Sequence, residues 1–196
     1  MGYASKSGRG KFVVITGPSA AGKTVLVDAL LERILSSARL ITITTRKPRP
    51  HETNGVDYIF VNRKEFEEKI KRGELFEYAE VYGQLYGSSR EDLMAALKEH
   101  EYVFAVVDIQ GAHTIRRELP DALIIFLLPG SLEDIRRRLA SRVSKGGIVD
   151  EGELKRRIKE AGVEMEHVNA FDYVLENVEG KFGETVNMAE DIIESI

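Results

Sequence analysis

The chain has 196 residues, 43% of them hydrophobic, and carries a formal net charge of −4 with no cysteine. That length suits one domain with a sizeable core, and the missing cysteines exclude disulfides, thiolate metal sites and a cysteine nucleophile while fitting a reducing, cytoplasmic setting. The acidic balance gives no global pull towards nucleic acid, the longest apolar run (Ala122 to Leu128) is far too short to cross a bilayer, and the four histidines (His51, His100, His113, His167) lack zinc-site spacing.

No charged-then-apolar targeting segment is expected at the start, and Lys6 stands where a myristoylation motif opening Met1-Gly2 needs Ser or Thr. Residues 1–10, small and polar, are expected to form a loose leader. Phe12 to Thr16 are mostly β-branched or aromatic and predict a buried strand. Gly17-Pro18-Ser19-Ala20-Ala21-Gly22-Lys23-Thr24 then fits G-x-x-x-x-G-K-[ST], and Leu26, Ala29, Leu30 and Ile34 follow at helical spacing. Strand, glycine loop and helix stand in the order of a phosphate-binding loop. Such a loop turns backbone N–H groups and a helix N-terminus towards an anion. Gly17 and Gly22 permit the turn and the close approach, Lys23 can reach the terminal phosphates, and the Thr24 hydroxyl can ligand Mg²⁺. The stretch predicts nucleoside triphosphate binding.

Further along, Leu40 to Thr44 predicts a second strand, running into a proline-broken loop that ends at the Asn54-Gly55 turn. Val56 to Val61 predicts a strand, and Asn62-x-x-Glu65 a capping box opening a helix to Lys71. Glu74 to Tyr86 predicts a small hairpin around Gly83-Gln84, and Ser89 caps a helix to about Glu99. Tyr102 to Ile109 predicts a buried strand containing Asp108, followed by a helix from Gly111 to Leu119. Ala122 to Leu128 predicts another strand, and Ser131-x-x-Asp134 starts a helix through Arg142. Val143 to Gly152 predicts a loop, Glu153 to His167 a charged helix, Asp172 to Leu175 a short strand and Glu184 to Ser195 a last helix. Apolar strands alternating with helices predict an α/β fold with a parallel sheet covered on both faces, and the short strands between residues 42 and 88 an inserted lobe.

At T-T-R-K-P-R-x-x-E-x-x-G-x-D-Y-x-F-V, Thr44 to Val61, the sequence resembles the guanylate kinases. The resemblance continues through G-P-S, L-F-E-Y-A-E-V-Y-G-Q-L-Y-G-S-S (Leu75 to Ser89), D-I-Q-G (Asp108 to Gly111), R-L-A-S-R and R-R-I-K-E-A, and covers nearly the whole chain from Lys11. It implies a P-loop nucleoside monophosphate kinase fold. That fold has a five-stranded parallel core sheet flanked by helices (11–41, 90–141, 168–196), a mixed α/β lobe for GMP (42–89) and a helix-and-loop lid (142–167). The implied reaction is Mg²⁺-dependent transfer of the ATP γ-phosphoryl group to GMP, and to dGMP, with small-molecule substrates and neither nucleic acid nor membrane as partner.

The resemblance also implies roles. Arg46 and Arg49 hold the monophosphate with Tyr58 and Tyr86, as guanidinium forks bind phosphate bidentately and phenols add neutral donors. Glu77, Ser88 and Thr42 fall where the family reads guanine, whose N1–H and exocyclic amine suit an acceptor-only carboxylate. Asp108 falls on the GMP side, with a metal-side role as its alternative. Arg138, Arg142 and Arg157 match the arginines around the triphosphate and the transferring group, where positive charge counts most. Arg136 and Arg137 have no matched role and read as a solvated face. Three positions depart from the family pattern. Val106 replaces the first aspartate of D-x-D-x-Q-G, Ala20 replaces a preferred glycine and predicts a negative φ, and the stretch from Arg142 to Arg157 is longer. Two other readings stand beside this one: a P-loop kinase for a different small phosphate ester, and a non-catalytic guanylate-kinase-like interaction module.

Overall fold

A computed structural model of the chain describes residues 10–144 and 151–196. Its main sheet is built from the apolar runs. β1 (Lys11–Thr16), β7 (Tyr102–Val106) and β8 (Leu123–Pro129) are almost continuously buried, as strands covered on both faces must be. With β2 (Ser37–Arg39) and β9 (Tyr173–Asn177) they form a five-stranded sheet in the order β2-β7-β1-β8-β9. β2 pairs in parallel with β7 from Ser37 against Tyr102, and β8 in parallel with β9 from Ile125 against Tyr173. Parallel neighbours need long crossovers, and helices supply them.

A second sheet has the order β4-β3-β6-β5, formed by β3 (Ile43–Thr44), β4 (Ile59–Phe60), β5 (Leu75–Val81) and β6 (Gln84–Ser89). Tyr82 and Gly83, both at positive φ (52° and 77°), join β5 to β6, the conformation that matches a two-residue loop to the twist of a hairpin. The β5–β6 register slips between Leu75 and Glu77, so Leu75, Phe76 and Glu77 are all buried where strict alternation would turn one outward. That slip places a carboxylate inside the fold.

By backbone proximity the chain divides into two compact units. The first takes residues up to Val14 and Leu35–Leu123, the second Ile15–Ile34 and Ile124–Ile196. In the first, Ile43, Phe66, Leu75 and Leu85 pack together, with Ile59, Val61 and Ile70 against them. Phe66 belongs to α2 (Arg63–Lys71), which opens on the expected reciprocal capping box of Asn62 and Glu65. A side chain like Phe66 contributes about 2 kcal/mol by burial and the cap about 1 kcal/mol. Ser89 caps α3 (Arg90–Glu99), and Asp108 caps α4 (Ile109–Glu118).

In the second unit, α1 (Lys23–Arg33) is tied to α7 (Phe182–Glu194) by Arg33, which donates to Asn187 at 2.7 Å and Glu190 at 3.2 Å. α5 (Leu132–Ser144) and α6 (Glu151–Glu164) pack through Ile135, Leu139 and Ala161, with a 3-10 turn (Met165–Ala170) after α6. Phe126 of β8 stacks on Phe171 at 5.7 Å.

Several sequence expectations change. The strand expected over Tyr102 to Ile109 stops at Val106, because Asp108 caps α4 and Ile109 opens it. The hairpin turn falls at Tyr82-Gly83 rather than Gly83-Gln84, with Val81 paired to Gln84. Leu40 to Thr44 is not one strand, because the chain leaves the main sheet after Arg39 and joins the second only at Ile43. Val56 to Val61 narrows to Ile59–Phe60, since Val56 and Asp57 turn back to bond Thr53 O. Val143 and Ser144 extend α5, while Glu151 and Gly152 open α6, so the expected loop shortens from both ends and its centre, residues 145–150, lies outside the described residues.

Candidate active site

The glycine loop, residues 17–22, follows β1 as the spacing predicts. Gly17 sits at φ +133°, and a Cβ there would lie 2.3 Å from Leu127 O. Gly22, at φ +103°, caps α1, and a Cβ there would strike Asn177 Nδ2 at 2.4 Å. Only glycine meets both demands. Lys23 Nζ donates to Gly17 O at 2.6 Å and Pro18 O at 2.9 Å, which holds the ammonium across its own loop. Pro18 is buried, Ser19 half-buried and Thr24 exposed in the first turn of α1.

Ala20 corrects the sequence reading: its φ is +64°, left-handed rather than negative. Glycine takes such a backbone without steric cost, and here an L-residue takes it. From behind, Arg138 Nη1 of α5 donates to Ala20 O at 3.3 Å and Ala21 O at 3.1 Å, and its Nη2 to Asn177 O at 3.1 Å. Asn177 Nδ2 donates to Ala21 O at 2.7 Å. With Ala21 O fixed this way, the trans peptide points the Gly22 N–H to the opposite side. Arg157 is half-buried in α6 beside Ile158, and the Arg142 side chain lies outside the described residues. Arg137 is engaged with Asp134 and Glu179, and Arg136 lies 3.9 Å from Glu133, as suits an exposed face.

In the first unit, the loop after β3 is organised by Glu52. Arg46 donates to both of its carboxylate oxygens, at 2.9 and 2.8 Å, while the Arg49 backbone N–H donates at 2.7 Å. The Glu52 side chain is only 6% exposed. Burial alone would raise its pKa, but the Arg46 bonds, the Arg49 amide and the two positive charges together hold it below the ordinary carboxylate value. The Arg46 guanidinium lies over Tyr58 (5.2 Å) and Phe60 (5.7 Å), and Tyr58 meets Tyr86 edge-on at 6.2 Å. The structure therefore gathers Arg46, Arg49, Tyr58 and Tyr86 into one basic, aromatic cluster. Burial, with Tyr86 adding to it, pushes the Tyr58 phenol upward, so it stays a neutral donor.

Glu77, Ser88, Asp108 and Gly111 form a second cluster. Glu77 is 3% exposed and pairs with Ser88 across the hairpin. Asp108 Oδ1 accepts from Gly111 N at 2.7 Å. A Cβ on Gly111 would lie 2.8 Å from Glu77 Oε2 and 3.0 Å from Asp108 Oδ1, so the missing side chain is what admits the two carboxyls. Burial pushes Glu77 up to about 7; the nearby Ser88 hydroxyl favours its charge, and Asp108 opposes it. Ser88 Oγ is fully buried with no hydrogen bond of normal geometry, leaving it able to bond a ligand. Thr42, also buried, lies just before β3, and its carbonyl accepts from Ile59 N at 2.9 Å. Val106 is half-buried at the end of β7.

Glu52, Asn177 and Gly111 were not assigned roles from the sequence. Glu52 had a local signal, since Arg46, Arg49 and Glu52 recur three apart. Asn177 had none, because its partner Ala21 is 156 positions away. Among the described residues no group of three or more Asp, Glu, His or Cys could hold a metal. The exposed Thr24 hydroxyl suits a hard cation carried mainly by phosphate oxygens and water.

The family model for guanylate kinase matches residues 9–196. A guanylate kinase from Alkalilimnicola ehrlichii is 41% identical over 169 residues, 86% of this chain and 81% of that protein. One from Rubrobacter xylanophilus is 40% identical over 164 residues, 84% of each chain. Among solved structures, guanylate kinase from Anaplasma phagocytophilum superimposes with a TM-score of 0.76 at 30% identity, over 96% of this chain and 86% of that one. The chain belongs to the guanylate kinase family.

Proposed function

We propose that the chain transfers the γ-phosphoryl group of ATP to GMP, and to dGMP, in the cytoplasm, and that the residues above divide the work as follows. The loop amides, Lys23 and the start of α1 bind the ATP phosphates. Arg138, Arg142 and Arg157 supply positive charge around the transferring group, where phosphoryl transfer depends on positioning and electrostatics rather than covalent help. Thr24 would hold Mg²⁺ together with the phosphates, and the ion when bound would neutralise their charge. Arg46, Arg49, Tyr58 and Tyr86 grip the GMP phosphate, with Glu52 holding the two arginines in place. Thr42, Ser88 and Asp108 complete the base site around Glu77, and Asp108 is assigned to the base rather than to the metal.

The observation that carries this reading is the buried Glu77 carboxyl, beside a Ser88 hydroxyl with bonding capacity to spare. A buried acceptor needs donors, and the guanine edge brings two. ADP release should be measured with GMP, dGMP, AMP, CMP and UMP in turn. Turnover with GMP and dGMP alone is expected; equal turnover with AMP would overturn the guanine assignment.

A further inference from the structure

Ala20 holds a backbone conformation that costs an L-residue steric strain, at φ +64°. Such a conformation persists only where its surroundings over-determine it, and here they do. The Ala20 side chain is buried against Ile135 and Leu139 of α5 and Ala161 of α6, with Ile158 packed on the same cluster. Its carbonyl accepts from Arg138, as does that of Ala21. Ile135, Arg138 and Leu139 stand at i, i+3 and i+4, so one face of α5 makes both the apolar and the polar contact. A glycine would reach the same φ without strain, but it would also have other conformations open and nothing to bury.

We propose that Ala20 is a positioning residue whose methyl group keys the phosphate loop to α5 and α6, so that nucleotide bound in the loop orders those helices with it. The inference rests on the loop being the ATP site and adds the path by which that site reaches the arginines of α5 and α6. Because Ala20→Gly relieves strain while removing a buried methyl, its effects on stability oppose one another, and melting temperature is not the informative readout. Nucleotide response is.

The test follows hydrogen exchange in α5 and α6, with and without a non-hydrolysable ATP analogue, in wild type and Ala20→Gly, together with KM for ATP and for GMP. Wild type should gain protection in both helices. Ala20→Gly should bind the analogue about 5-fold more weakly, lose most of that gain and keep its KM for GMP, an effect at the lower end of ordinary coupling between sites. Leu139→Ala approaches the same contact from the helix, and combining it with Ala20→Gly should weaken ATP binding no further than the weaker single variant. A wild-type KM for ATP with wild-type protection in Ala20→Gly, or multiplying losses in the double variant, would overturn the inference. Failure of wild type itself to bind the analogue would instead overturn the ATP reading beneath it.

Discussion

In the proposed site, the loop from Gly17 to Thr24 and the clusters around Glu52 and Glu77 would handle phosphate and base with different materials. The loop works through backbone: two glycines at positive φ, a left-handed alanine, and carbonyls fixed from behind by Arg138 and Asn177. The clusters work through buried carboxyl groups: Glu52 under a bidentate arginine, and Glu77 beside Asp108 with no basic group bonded to it among the described residues. A backbone site whose one side-chain charge is a lysine keeps its character around neutral pH and is damaged by changes in shape. A side-chain site is tuned by burial, and it answers to protons and to isosteric substitutions.

The largest expected effect separates the two. Lys23→Ala removes one preorganised cation from the ATP side and should lower kcat by about 10²- to 10³-fold. GMP affinity, measured by calorimetry, should hardly move, and a parallel loss of GMP binding would break the comparison. Next is Glu52→Gln, which keeps the shape but removes the charge that orients Arg46 and Arg49. Charge-assisted bonds of about 1.5–3 kcal/mol translate to a KM for GMP raised by about 10- to 100-fold, with KM for ATP unchanged.

The pH response sharpens the contrast further. In the proposed base site guanine needs Glu77 ionised, and burial pushes its carboxyl up to about 7. KM for GMP should therefore rise by about 10-fold as pH falls from about 8 to 6, while KM for ATP stays level. Stability runs the other way. A carboxyl held above its ordinary value contributes stability that is complete below the unfolded pKa and lost as pH rises through about 7. Glu77→Gln should melt higher than wild type at pH 8, lose that advantage near pH 4, and bind GMP poorly at both. The smallest effect belongs to Asn177→Ala. Loss of one bond to Ala21 O, worth about 1 kcal/mol, should weaken ATP about 5-fold and leave GMP untouched.

What could be read from the sequence divides along the same line. The loop, its helix and the capping box at Asn62 are local patterns, and each forms where its residues predict, while the hairpin forms with its turn one residue early. Glu77 and the arginine loop were legible through family-specific spacing rather than through any physical signal of their own. The slip that buries Glu77, the strand broken between Arg39 and Ile43, and the left-handed Ala20 depend on neighbours distant in sequence. Ala20 shows why most clearly. Alanine prefers negative φ, and the exception goes with the packing of α5 and α6 around its methyl and the Arg138 bond to its carbonyl.

The most direct test of the account is the ratio of kcat/KM for GMP over AMP, measured in wild type and in Glu77→Ala. Guanine offers Glu77 two N–H donors, whereas adenine presents a lone pair and a C–H and would leave the buried carboxylate unpaired. A site built this way can favour its partner by about 10⁴-fold. Glu77→Ala should cut kcat/KM for GMP by at least about 100-fold while the low activity with AMP changes little, so the ratio collapses from the GMP side. A ratio unchanged by the substitution would contradict the account, because the buried carboxyl would then not be what reads the base.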